Sequence, residues 1–153
     1  MIREIRKVGD PILKTKAKKV EKIDEKIREL ARDMIETMKF CNGVGLAAPQ
    51  VGESLRIIVV DYEDNPIVLI NPEIIEMSGE ELDYEGCLSV PGVEVPVKRA
   101  ERIVFKAQDL DGRTKKYRAK GLLARVVQHE VDHLDGMLIL DRAVEEPIKM
   151  EEK

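Results

Sequence analysis

Apolar side chains recur at spacings of three, four and seven residues in the first third of the chain. The apolar positions of this segment are Ile27, Leu30, Ala31, Met34, Ile35 and Met38. This spacing places them on one face of an α-helix, as in helices that pack against a core. Asp24 precedes the pattern and is a residue type that caps helix N-termini, while Asn42 and Gly43 follow it and favour a helix end. We therefore predict a helix that is capped by Asp24 and runs to about Phe40.

A second helical pattern lies near the end of the chain. Its apolar positions are Leu122, Leu123, Val126, Val127, Val131 and Leu134. Gly136 stands where a C-terminal cap is expected, because glycine readily adopts the left-handed backbone conformation that ends many helices. The pattern predicts a helix from about Gly121 to Leu134.

Between the two helices the pattern changes to short apolar runs and alternating positions. The predicted strands are residues 56–61, 67–70, 102–109 and 114–118. Turn residues at 63–66 separate the first pair, and Asp111-Gly112 separates the second pair as a hairpin turn. A helix, several strands and a second helix predict an α+β fold. In it, mostly antiparallel strands pack around the second helix, with the N-terminal helix beside them.

The composition narrows the class of protein. The 153 residues fit one domain, in which we expect residues 145–153 to form a charged tail that frays or adds a short helical turn. No apolar run approaches the ~20 residues of a membrane span. The N-terminus lacks the apolar segment of a secretory signal, and two cysteines, Cys41 and Cys87, favour a reducing cytoplasm. A net charge of −4 and 3% aromatic residues argue against strong non-specific attraction to nucleic acid.

The most informative residues are the two histidines, His129 and His133, the only ones in the sequence. Residues four apart lie on the same face of a helix, so both imidazoles can bind one divalent metal ion. Glu130, directly after the first histidine, can hold a metal-bound water, and a metal lowers the pKa of water from 15.7 toward about 7. Two solvated surface histidines, or a charge pair at the helix C-terminus, are the alternatives.

A catalytic metal site of this kind needs a third protein ligand. Downstream of His133 the chain offers only acids in a turn or in the tail. Upstream, Cys87 lies in residues 84–92, where glycine and proline indicate an extended loop or a strand end. Its thiolate would complete a Cys/His/His set, although a cysteine beside glycine is more often an inert apolar residue. A further segment, residues 43–50, combines small residues that allow close backbone approach with Gln50, whose amide can donate hydrogen bonds.

Together, these segments resemble the peptide deformylase family. The three family motifs correspond here to residues 43–50, 85–89 and 128–136, in order and without a mismatch. A looser similarity runs from residue 8 to residue 142, and three ordered matches are far more specific than one motif. The resemblance implies a metal-dependent hydrolase that removes the N-formyl group from formylmethionine at the start of newly synthesised bacterial proteins.

The resemblance also implies roles for particular residues. The implied metal ligands are Cys87, His129 and His133. Glu130 would be the general acid/base that uses a metal-bound water or hydroxide, and Gln50 and the Leu88 backbone N–H would stabilise the oxyanion. The implied methionine pocket and peptide cleft contain Val44, Gly45, Glu85, Leu88, Leu122 and Val126. Leu122 and Val126 fit a plain core role equally well. One divalent ion is implied, natively Fe(II), which Zn, Ni or Co can replace in the isolated protein.

The implied partners are N-formylmethionyl nascent chains and, transiently, the ribosome, with no specific nucleic acid and no membrane. One departure is that residues 93–95 read Val-Glu-Val, where many relatives place an arginine near the cleft. The main alternative is a zinc-dependent peptidase or other amidase, which equal turnover of formyl- and acetyl-methionine peptides would favour. A structural metal site would need a fourth ligand, for which only Cys41, otherwise a bystander thiol, remains. A binding module would hold no metal.

Overall fold

A computed structural model describes residues 1–144 of the protein and the backbone of residues 148–149. The helices of this part, in chain order, are α1 (Glu25–Phe40), α2 (Gly121–Leu134) and α3 (Ile139–Arg142). The strands are β1 (Gly45–Ala47), β2 (Ile57–Tyr62), β3 (Asn65–Ser78), β4 (Glu81–Cys87), β5 (Val90–Arg99), β6 (Arg102–Gln108), β7 (Thr114–Lys120) and β8 (Ile148–Lys149). None of the helices described is long and apolar enough to cross a membrane.

The strands form two antiparallel sheets. The larger sheet has five strands in the order β1-β2-β3-β6-β7, and the smaller sheet has the order β4-β5-β8. Neighbouring strands within both sheets pair antiparallel. The predicted α+β class with mostly antiparallel strands is therefore confirmed.

Both long helices begin and end close to their predicted bounds. The Asp24 side chain caps α1 by accepting a hydrogen bond of 3.1 Å from the Ile27 N–H. Beyond α2, Gly136 has the left-handed φ of +74°. A Cβ atom at Gly136 would lie 2.7 Å from the Lys14 carbonyl oxygen, so the close passage of the N-terminal segment also requires glycine there.

The five-stranded sheet separates two apolar cores. Ile58 and Val60 of β2 face the cluster that contains Val127 and Leu134 of α2. The intervening β2 residues, Ile57 and Val59, belong to the cluster on the α1 side, with Met34 and Met38. Because these four side chains are fully buried, residues 57–60 of β2 form an uninterrupted apolar run. The sheet therefore holds α2 on one face and α1 on the other.

The sequence prediction of the strands was incomplete. The strand expected at residues 67–70 is the 14-residue β3, whose pairing with β6 is shifted between Ile70 and Glu73 and again between Ile74 and Glu76. These irregularities break the alternation that a regular strand shows. Residues 84–92, expected as an extended loop or strand end, form the turn and flanking strands of the β4–β5 hairpin. The expected tail, residues 145–153, lies outside the described residues except for β8, which pairs with β5 instead of forming a helical turn.

Candidate active site

Helix α2 carries both histidines and directs them to one side. The ring centroids of His129 and His133 lie 5.1 Å apart. His133 is 1% exposed, because the ring packs into the protein interior. The spacing of four residues thus produces the shared helix face that the sequence predicts.

Cys87, the last residue of β4, lies next to this pair. Its Sγ atom is 3.4 Å from His133 Nε2. One potential ligand atom from each of Cys87, His129 and His133 lies within 4.8 Å of the other two. Residues from two distant parts of the chain are therefore brought to one point, as the third-ligand argument expects.

The donor set and its surroundings fit a divalent cation. Burial lowers the pKa of His129, but the charge of Glu130 and the contacts with Cys87 and Glu85 outweigh burial and raise the pKa to about 10. This position therefore favours positive charge. Burial and the charges of His129 and Arg99 lower the pKa of His133 to about 3, which keeps its imidazole in the neutral form that binds metals. Thiolate and imidazole ligands suit zinc and iron.

Glu130 is a buried carboxylate with an unused oxygen. It is 4% exposed, and its Oε1 atom has no hydrogen-bond partner within the described structure. Burial is the main reason that its pKa rises to about 7. On the β1 side, a Cβ atom added to Gly45 would lie 2.7 Å from Glu130 Oε2 and 2.8 Å from a methyl carbon of Val126. Glycine at position 45 therefore lets the β1 backbone approach this carboxylate.

Gln50 lies in a short 3-10 turn, Ala48–Val51, that directly follows β1. Its Oε1 atom accepts a hydrogen bond of 3.0 Å from the Ala47 N–H. Its Nε2 atom donates to Ser89 Oγ at 3.1 Å and to Cys87 Sγ at 3.7 Å. The three contacts fix the amide so that its N–H₂ group points toward the thiol side of the site.

A buried ionic network supports the other side of His129. Glu85 Oε1 lies 2.9 Å from His129 Nδ1, and both Glu85 oxygens accept hydrogen bonds from Arg99 at 2.9 Å. Arg125 donates to Glu85 at 2.6 Å, and Arg99 donates to Asp132 at 2.5 Å. Burial opposes ionisation of Glu85, but the hydrogen bonds from His129 and Arg99 prevail and lower its pKa well below the ordinary range. The Glu85 contact leaves Nε2 of His129 as the ring nitrogen available for a metal.

Sequence reasoning missed Arg99, Arg125 and Asp132. Two weak signals mark the two arginines. Arg99 continues the buried alternation of Val95 and Val97 on β5, and Arg125 adjoins Val126 within the apolar pattern of α2. Neither signal identifies a partner, because Arg99 and Arg125 are separated from Glu85 by 14 and 40 residues.

An open cavity of about 640 Å³ lies above these groups. All of the residues expected in the methionine pocket line it, namely Val44, Gly45, Glu85, Leu88, Leu122 and Val126. Leu122 is 69% exposed and is therefore at the rim instead of in the core, whereas Val126 is 8% exposed and contributes to both core and cavity. Sequence reasoning did not anticipate Lys7, Asn42, Tyr84 and Pro91, which also line the cavity.

Comparisons with known proteins identify the family of the chain. The polypeptide deformylase family matches residues 2–148. A peptide deformylase of Dictyoglomus thermophilum is 97% identical over 153 residues, which is 100% of both chains. One from Acetivibrio thermocellus is 51% identical, over 94% of this chain and 84% of that protein. The crystal structure of peptide deformylase from Thermotoga maritima superposes with a TM-score of 0.92 at 46% identity, covering 95% of this chain and 99% of that one. The chain belongs to the polypeptide deformylase family.

Proposed function

We propose that Cys87, His129 and His133 hold one divalent metal ion. We further propose that Glu130 is the general acid/base in the hydrolysis that removes the formyl group from N-formylmethionyl peptides. The observation that carries this proposal is the convergence of the three potential ligands beside a buried carboxylate with an unpartnered oxygen. When bound, the metal supplies a Lewis acid that polarises a carbonyl and makes water more acidic. Native Fe(II), replaceable by Zn, Ni or Co, belongs to the proposal.

Glu130 is suited to move one proton in two directions. Its pKa of about 7 lies near neutral pH, where both forms are populated. The carboxylate first accepts a proton from the attacking water. The resulting carboxylic acid then delivers that proton to the nitrogen of the departing methionine, which leaves as a free amine. The formyl group leaves as formic acid, whose remaining proton passes to the amine or to solvent to give formate.

In this proposal, Gln50 and the Leu88 backbone N–H stabilise the charge that forms on the formyl oxygen. The Gln50 N–H₂ group is oriented by Ala47 and Ser89, and the Leu88 backbone follows Cys87 directly. Each donor of this kind contributes about 3 kcal/mol in comparable sites. Because such donors are fixed before the reaction, they need no reorganisation as the negative charge develops.

The cleft accounts for substrate selection in this proposal. β1 is an edge strand of the five-stranded sheet, so a peptide can add to it through the backbone of Gly45. Val44, Leu88, Leu122 and Val126 provide apolar surface for the methionine side chain. Glu85 has its carboxylate engaged by His129 and two arginines, so we assign it a positioning role behind the metal ligand.

The proposal extends to the cellular setting and domain organisation. Substrates that are nascent chains place the enzyme transiently near the ribosome in the cytoplasm, and residues 1–153 act as one catalytic domain.

A structural metal site is disfavoured, because no fourth ligand accompanies the three residues in the described part of the chain. Cys41 instead packs against the core on the α1 side.

The test combines metal analysis with two substrates. Protein purified without oxygen is expected to contain about one metal ion per chain and to hydrolyse a formyl-methionine peptide far faster than its acetyl counterpart. Equal turnover of both peptides would favour a broader amidase. Cys87→Ala is expected to lose tight metal binding, because a required thiolate is absent, whereas Cys41→Ala serves as the matched control. Full metal content in Cys87→Ala would remove Cys87 from the ligand set.

A further inference from the structure

Positive charge is concentrated on one hairpin of the protein. Residues 102–120, which span β6 and β7, contain seven basic and two acidic side chains, a net charge of +5. Since the whole chain has a net charge of −4, the remaining residues carry −9. Five of the cations share the outer face of β6 and β7, which we call the basic face. Its members are Arg102, Lys106, Lys116, Arg118 and Lys120.

The arrangement of the basic face opposes the stability of its own hairpin. In the β6–β7 register, Arg102 lies opposite Lys120 and Lys106 lies opposite Lys116. Like charges directly across a strand pair destabilise it. A charge pattern that works against local stability is typical of a functional surface.

Nearby acids neutralise only the β6 part of this face. Glu101 lies 3.5 Å from Arg102, and Glu73 lies 3.5 Å from Lys106. Within the described residues, none of the three β7 cations, Lys116, Arg118 and Lys120, makes an ion pair within 4.0 Å. All three are exposed on the edge strand of the five-stranded sheet. They alternate along β7, which spaces them about 7 Å apart.

The side chains of the basic face indicate which class of polyanion it can bind. Val104, the apolar residue between the β6 cations, is 8% exposed, so the face offers little apolar surface for insertion into lipid. It also has no aromatic side chain on which an unpaired base could stack. An adjacent cavity of about 560 Å³ is lined by apolar as well as charged residues, namely Glu76, Met77, Ser78, residues 102–104 and residues 118–120. The cations of the basic face suit phosphates, through which proteins contact double-helical RNA.

We propose that the basic face docks the phosphate backbone of double-helical RNA, so that the expectation from the net charge of the whole chain, which argues against attraction to nucleic acid, does not hold at this one face. The choice of RNA over DNA rests on the proposed function, because chains that still carry a formyl group are close to the RNA-containing machinery that makes them. Docking would hold the enzyme near its substrates while the cleft, which is lined by residues outside β6 and β7, stays free.

The test uses a labelled RNA duplex of ~20 base pairs, titrated with the metal-loaded protein between 50 and 200 mM salt. The triple variant Lys116→Gln, Arg118→Gln, Lys120→Gln is expected to bind at least ten-fold more weakly at low salt. The slope of log K against log salt should decrease by about two to three, because three phosphate contacts are lost. The matched control is Lys19→Gln, Lys22→Gln, Lys26→Gln, which removes the same charge from exposed positions outside the hairpin. It should bind within two-fold of the unmodified protein.

Each alternative has a distinct outcome. Equal weakening in both triple variants, or no duplex binding at 50 mM salt, would overturn the proposal. Tighter binding to the matching DNA duplex or to anionic lipid vesicles would also overturn it, as would a dimer that only the Lys116, Arg118, Lys120 triple variant loses. Turnover of a short formyl-methionine peptide should be unchanged in both triple variants. This measurement separates a failure of RNA docking from a failure of the proposed catalytic function.

Discussion

On the β4–β5 side of helix α2, the Glu85 carboxylate accepts hydrogen bonds from His129, Arg99 and Arg125. On the β1 side of the same helix, Glu130 Oε1 has no partner in the described structure. The two residues are similarly buried, at 7% and 4% exposed. Yet the pKa of Glu85 is lowered, whereas burial raises that of Glu130 to about 7.

This contrast shows that partners, not depth of burial, decide what a buried carboxylate does. Hydrogen bonds from cations stabilise the ionised form of Glu85, so this residue holds a histidine in place and keeps its charge. Without such partners, Glu130 can gain and lose a proton near neutral pH. Under the proposed function, the Glu85 side of α2 therefore provides rigidity and the Glu130 side provides proton transfer.

The largest expected effect comes from removing the ionisable side chain of Glu130. Glu130→Gln should lower kcat/KM on a formyl-methionine peptide by about 10²–10⁴, because general acid/base catalysis is lost. Metal content and folding should be retained. Glu29→Gln, at an exposed position of α1, is the control and should keep full activity. Normal turnover by Glu130→Gln would show that another group transfers the proton.

A substitution in the ionic network of Glu85 should lower the free energy of unfolding. Arg99→Met leaves Glu85 and Asp132 with fewer partners, and breaking a buried ion network of this kind destabilises a protein by about 3–5 kcal/mol. Urea denaturation of the metal-bound protein measures the free energy of unfolding. Arg32→Met is the control, because Arg32 pairs with Glu25 on the surface and should contribute much less. Equal losses in both variants would contradict the contrast between the two sides.

A smaller effect is expected from the residue that orients Gln50. Ser89→Ala removes the acceptor of the 3.1 Å hydrogen bond from Gln50 Nε2, so the amide is less well fixed. We expect kcat to fall by about ten-fold with little change in KM, as for the loss of one supporting hydrogen bond. In a Gln50→Ala background, Ser89→Ala should have no further effect on kcat. Additive losses would instead indicate that Ser89 acts independently of Gln50.

The smallest expected effect is at Asp33 of α1, a buried carboxylate away from the cleft that is paired with cations, as Glu85 is. Burial opposes its ionisation, but the Met1 amino group and Arg3 outweigh burial and lower its pKa below 3.8. A carboxylate with a lowered native pKa stabilises the fold at pH values above the pKa that it has in the unfolded chain. This stabilisation is lost as the pH falls through the lowered native pKa. Unfolding free energies measured from pH 6 to pH 3 should therefore converge between the unmodified protein and Asp33→Asn. A constant difference across this range would contradict the assignment.

Much of the site could be predicted because its signals are local. The helix periodicity of residues 121–134 and the four-residue spacing of His129 and His133 follow from neighbouring residues alone. Cys87 could not be assigned to the site from its neighbouring residues. Only its position in an ordered set of motifs connected it with histidines more than forty residues away. The charge segregation of residues 102–120 is also visible in the sequence, but only the register of β6 and β7 shows that five of the cations share one face.

Short-range periodicity and compact motifs are sufficient to specify the two long helices, the strand-rich centre and the residue types of a metal site. The tertiary structure alone decided which carboxylate is paired. Arg99 reaches Glu85 and Asp132 across 14 and 33 residues, and no local pattern specifies such contacts. The physical reason is that the pKa of a buried group depends on the charges and donors packed around it, and the fold brings these together from distant parts of the chain.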